Sequence, residues 1–152
     1  TGTRLAAAME ALFPGSSTKE RGFELRVEEY ELEKTWRSGP IAVVPYRANH
    51  HSGEGPSCAL RVTCGGKTIA YSGDGAWSDG LKAAAREADL FIAECYYFDR
   101  TVGGHMYLKT LTSHLDEIRP KRLVLTHMSD DMLGRLDGID IETAEDGKTI
   151  RL

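Results

Sequence analysis

The stretch KTIAYSGDG, residues 67–75, decides the fold. An apolar, β-rich run stops abruptly at Gly73-Asp74-Gly75, so a strand must end in a sharp turn that leaves a carboxylate exposed at its tip. Behind it, CALRVTC from Cys58 pairs with KTIAYS as a hairpin around Gly65-Gly66. Ahead of it, Ser78 is placed to cap a helix through LKAAAREA, with Glu87 at its end. DLFIAECYYF then reads as a buried strand, and Gly103-Gly104 as a flexible joint. His105 precedes a helix ending near Ile118, before Pro120. KRLVLTH is a second buried strand with His127 at its exit, and DDMLGRL a short helical stretch. The tail IDIETAEDGKTIRL predicts two short strands turned at Asp146-Gly147.

Upstream, Arg4 to Leu12 reads as a helix ended by Pro14-Gly15. FELRVEEYEL from Phe23 alternates like a half-buried strand. After the break at Gly39-Pro40, IAVVPY from Ile41 is another strand, opening into the loop RANHHSGEGPS. Strands cluster in the first part, and strands alternate with helices in the second. That mixture predicts a mixed sheet with a helical layer, not an open doubly wound sheet. Neither GxGxxG nor GxxxxGK[ST] occurs.

The bulk numbers set bounds. A chain of 152 residues, 41% apolar and 28% charged, suffices for one domain with a real core. A net charge of -4 without a basic run argues against a protein built around a phosphate backbone, though not against a small anionic substrate at a metal. No apolar run reaches the roughly 18 residues of a membrane span. The opening TGTRLAAAME carries neither an initiator Met nor signal-peptide character, which fits a processed product or an excised piece. Cys58, Cys64 and Cys95 are too few and scattered for a disulfide framework and read as reduced residues, with a cytoplasmic setting as the simplest expectation.

The candidate chemistry lies at loop positions behind apolar runs. Asp74 is suited to hold a hard or borderline cation, and equally suited to an ordinary Gly-Asp-Gly turn. His127 reads as a metal ligand held by a strand end, or as a polar start to the helix after it. His50 and His51 are adjacent, so in an extended loop they point in different directions and both do not bind one ion. His105 reads as an acid or substrate clamp, or a helix cap. Glu94, inside an apolar run, must be paired or protonated; it is placed to orient a metal-bound histidine or to make a structural hydrogen bond. His114 reads as a surface or packing residue, and Trp36 and Trp77 as packing residues, with Trp77 near enough to Asp74 to line a pocket.

The ordered series of a loop His, then YSGD, then an apolar run ending in Glu, then GH before a helix, then LVLTHMS, resembles the metallo-beta-lactamase fold hydrolases, above all their ribonuclease-Z-like and phosphodiesterase-like branch. The resemblance covers essentially the whole chain, residues 1–152, as a single domain matching the C-terminal half of that fold. It implies an α/β architecture: half of a four-layer αββα sandwich, a mixed sheet with helices on one face. It implies two divalent ions in the complete site, zinc first and manganese second, with Asp74 bridging, His127 on the second ion, and His50 completing the first. His51 is the alternative to His50. His105 resembles the non-ligand histidine beside the substrate phosphate, and Asp74 and His105 are the catalytic candidates. Gly75 stands where a threonine is common.

One departure weighs against completeness. The HxHxDH motif of the family is absent, and no HxH occurs anywhere in the chain. Two functional expectations follow. One is a metal-dependent hydrolase, acting in the complete protein on a phosphodiester, a related ester or another small molecule. The other is an inactive fragment or oligomerising module. A lone half would expose an apolar sheet face, so a dimer or packing against a missing N-terminal half is expected. No basic, aromatic-laced groove supports a nucleic-acid partner.

Overall fold

The hairpin around Gly65–Gly66 lies at the middle of a seven-stranded sheet whose spatial order follows the chain, β1 to β7. The computed structural model describes residues 2–16, 19–20, 22–24, 27–50, 56–100 and 103–152. The strands are β1 (Trp36–Ser38), β2 (Ile41–Arg47), β3 (Cys58–Cys64), β4 (Lys67–Tyr71), β5 (Leu90–Glu94), β6 (Leu123–Thr126) and β7 (Glu142–Thr143). Pairing is antiparallel from β1 to β4 and parallel from β4 to β7. The change falls where helical connections begin, because parallel neighbours need a crossover. Helix α2 (Asp79–Ala85) joins β4 to β5, α3 (Leu108–Ser113) and α4 (Leu115–Ile118) join β5 to β6, and α5 (Asp130–Leu133) follows β6.

Two compact units divide the chain, Thr1–Glu31 and Leu32–Leu152. The first holds α1 (Gly2–Leu12), and the second holds the sheet and all other elements. Phe13 N–H donates to Met9 O as α1 ends. The strand expected from Phe23 is not formed among the described residues of that stretch. Phe23, Val27 and Tyr30 are exposed there. Alternation makes a strand only where a neighbouring strand takes the backbone bonds; the short edge strand β1 pairs with β2 instead.

Ladder partners share a face, so the register sorts the side chains. Tyr46, Ala59, Ala70, Phe91, Ala93 and Leu125 face the helices and pack with Leu81, Ala84, Ala85, Leu111 and Ile118. Alanines on both sides let α2 lie close to the sheet. Phe91 is fully buried at the centre, where truncation to alanine would cost about 3–5 kcal/mol. Ser78 caps α2 by accepting from Leu81 N at 3.2 Å. Arg61, from the sheet, donates to Ala84 O and Arg86 O at 2.8 Å and satisfies carbonyls at the helix end. The other sheet face carries the rows Val43, Val62, Ile69, Leu90 and Pro45, Leu60, Tyr71, Ile92, Val124. It is partly open, with Tyr71 41% exposed.

Two further expectations need correction. The helix expected after His105 is two helices jointed at His114. Thr112 and Ser113 hydroxyls bond back to Leu108 O and Thr110 O, at 2.9 and 2.8 Å, a pattern that competes with regular helix. The tail forms one strand, β7; beyond the turn at Glu145–Lys148 the chain runs without a second. No helix among the described residues is long and apolar enough to cross a membrane. The three cysteines are free thiols. Burial, and then the charge of Glu94, push the Cys95 thiol up to about 12, so it behaves as a core residue.

Candidate metal centre

The carboxyl ends of β4, β5 and β6 converge, the place where parallel sheets commonly bind ligands. β4 ends at Tyr71, and the chain turns at Gly73, whose φ is +60°. A Cβ there would lie 2.7 Å from Cys58 O, so only glycine permits this turn against β3. The turn presents Asp74. The following segment is fixed by Ala76 N–H, which donates to Asn49 O at 3.0 Å. That bond brings the loop bearing His50 against the Asp74 turn.

Glu94 closes β5 and is 1% exposed. One carboxylate oxygen accepts the Gly75 N–H and the other bonds His105 Nδ1. Its own N–H donates to Ser72 Oγ at 2.7 Å. A buried carboxylate therefore links the Asp74 turn to the His105 loop, and among the described residues no hydrogen bond takes up Nε2 of His105. The residue where a threonine was expected contributes its main-chain N–H, which a glycine supplies as well as any residue. The histidine that Glu94 holds is His105.

His127 leaves β6 with φ +51°, a left-handed conformation costly for a non-glycine residue. Such strain at a strand exit is a common mark of a functional position. Its Nε2 lies 3.6 Å from Asp74 Oδ2, and both side chains are about half open, 40% and 44% exposed. Two donors on one tetrahedral zinc stand about 3.4 Å apart, so this spacing suits a shared cation. The His105 ring lies 5.6 Å from that of His127 and 5.1 Å from that of His50. Donor atoms of Glu94, His105 and His127 also fall within 4.8 Å of one another. Glu94 is buried and holds one bond on each oxygen, whereas Asp74 and His127 are both about half open to solvent. Imidazole and carboxylate donors suit zinc or manganese.

Asp74, His127, His105, His50 and Glu94 are thus brought to one sheet edge. His51 lies outside the described residues. His114 stands apart from this edge: it stacks on Trp77 at 4.1 Å and bonds Glu117 at 3.0 Å, a packing role. Sequence reasoning missed Tyr96, whose ring packs on both His105 and His127. Its only signal was its place two residues after Glu94.

A family model described as a beta-lactamase superfamily domain matches residues 2–128. The probable metallo-hydrolase YhfI of Bacillus subtilis is 28% identical over 103 residues, 65% of this chain and 41% of YhfI. The crystal structure of that protein superposes with a TM-score of 0.61 at 22% identity, over 76% of this chain and 50% of that one. The short form of human tRNase Z superposes with a TM-score of 0.60 at 28% identity, over 78% and 47% of the two chains. The chain spans about half the length of these relatives. Sheet, site edge and family match agree: the chain belongs to the beta-lactamase superfamily and carries the metallo-beta-lactamase fold.

Proposed function

We propose that the chain supplies one side of a metal-dependent hydrolytic site, and that the complete protein acts on a phosphodiester or related ester. The observation that carries this reading is the 3.6 Å approach of His127 Nε2 to Asp74 Oδ2 beside the Glu94-bound His105. Asp74 and His127 would hold a divalent cation, zinc before manganese, with His50 the next donor. A divalent cation at such a site supplies the acidity that makes water nucleophilic near neutral pH, and stabilises charge developing on the substrate. His105 has the proton role. Its Nδ1 is held by Glu94, and Nε2 is left to give a proton to the leaving group or hydrogen-bond the substrate. Glu94 fixes the ring.

Further donors, and the partner for the half-open sheet face, would come from a matching half or a second copy. The absence of an HxH supports a second reading, in which this chain alone is inactive and contributes a structural surface. Zinc titration calorimetry on the chain, with and without Asp74→Ala and His127→Ala, tests the first. Zinc binding unaffected by both substitutions would sink it. Hydrolysis of a chromogenic phosphodiester by the zinc-loaded chain tests the second: turnover proportional to this chain refutes inactivity.

A further inference from the structure

Tyr96 stands just past the end of β5, between the two loops that carry the site histidines. Its ring stacks on His105, with centroids 4.6 Å apart and planes 25° apart. The same ring packs on His127 at 5.0 Å and 43°. No other ring among the described residues touches both. The Tyr97 ring meets that of Tyr96 edge-on at 4.7 Å. The main chain of Tyr96 repeats the link. Its N–H donates to Met106 O at 3.0 Å, one residue after His105. Its carbonyl accepts Ser129 N–H at 3.0 Å and the Ser129 hydroxyl, two residues after His127. One residue therefore joins each loop through its backbone and each imidazole through its ring.

The two histidines are not equally constrained without it. Glu94 already fixes His105. The His127 side chain is 40% exposed, and Asp74 is its only ion-pair contact among the described residues. A flat ring shared by both imidazoles sets their separation, which a flexible aliphatic side chain cannot do.

We propose that Tyr96 is a positioning residue that holds His127, on the metal side, in fixed register with His105, on the proton-transfer side. This rests on the functional reading above. The test uses the full chain and two substitutions, Tyr96→Phe, which keeps the ring, and Tyr96→Leu, which keeps apolar bulk without it. Zinc calorimetry should give wild-type affinity for Tyr96→Phe and about tenfold weaker binding for Tyr96→Leu, in the range seen when a ligand loses its outer support. In the zinc-free chain, the nuclear Overhauser contact between the His105 and His127 imidazoles, whose rings lie 5.6 Å apart, should weaken in Tyr96→Leu and stay in Tyr96→Phe.

Equal, measurable zinc affinity in wild type and Tyr96→Leu overturns the proposal, as does Tyr96→Phe weakening binding as much as Tyr96→Leu. An unchanged contact between the two imidazoles in Tyr96→Leu also overturns it, whatever zinc does. If the wild-type chain binds no zinc yet the imidazole contact weakens in Tyr96→Leu alone, the metal reading fails and the positioning role stands. Should Tyr96→Leu unfold, Tyr96→Met replaces it in both measurements.

Discussion

The two ends of the parallel strands β4, β5 and β6 use similar residues to opposite effect. At the amino ends, the run Arg119-Pro120-Lys121-Arg122 meets acids one for one. Arg119 pairs with Glu87 and Lys121 with Asp89, both at 2.8 Å, and Arg122 pairs with Glu142 at 2.7 Å. Asp89 also accepts Thr68 N–H at 2.8 Å, so that carboxylate ties β4, β5 and the approach to β6 together. At the carboxyl ends, no Lys or Arg among the described residues forms an ion pair with Asp74 or Glu94; their ion-pair partners there are histidines. Charge that is matched by fixed cations serves the fold. Carboxylates left among imidazoles keep donor capacity for an ion or a substrate. Left-handed residues do not separate the ends, since Glu87, Arg119 and His127 all have positive φ. The partners do.

The sharpest way to break this contrast is to remove donors at each end. Asp74→Ala or His127→Ala should weaken zinc binding more than the roughly 100-fold limit seen for outer partners, while Arg119→Ala should change it less than about twofold, as expected of an exposed ion pair remote from the site. Equal losses at both ends, read by calorimetry, would erase the distinction.

Glu94→Gln probes what links the open end. An amide has one acceptor oxygen, so it cannot serve both the Gly75 N–H and His105 Nδ1 as Glu94 does. It should destabilise the chain by about 1–3 kcal/mol by thermal melting and weaken zinc binding about 10-fold or more. A melting temperature equal to wild type would show that the link carries no weight. His127→Gly separates strain from structure. Glycine accepts φ +51° without penalty, so zinc binding should vanish while the melting temperature holds or rises. A sharp fall would make His127 a structural residue.

The smallest effect belongs to the closed end. The Arg122 guanidinium, and then Lys148, pull the Glu142 carboxyl from its ordinary 4.5 down to about 2. A lowered carboxylate pKa stabilises the fold fully above its unfolded value, so this contribution should drain away as pH falls from 4.5 towards 2. Glu142→Gln should flatten the acid limb of the melting temperature against pH and leave zinc affinity unchanged. An acid limb identical to wild type would refute the pairing.

Local pattern carried much of this. The Gly65-Gly66 hairpin, the Ser78 cap, the two buried strands and the strand-exit placement of Asp74 and His127 were legible because each depends on residues close in sequence. FELRVEEYEL was misread because alternation records a preference and not a partner. The second tail strand failed for the same reason. The single helix over His114 missed the competition from Thr112 and Ser113 hydroxyls.

By itself, the sequence determined the strand-and-turn grammar, the identity of the possible donors, and the lack of an HxH. Only the tertiary structure decided which donors meet. It placed Glu94 between Gly75 and His105, brought His127 to Asp74, and set Tyr96 against both histidines. Those contacts join residues from 9 to 53 positions apart, and their distances follow from sheet register and crossover packing, which no local pattern encodes.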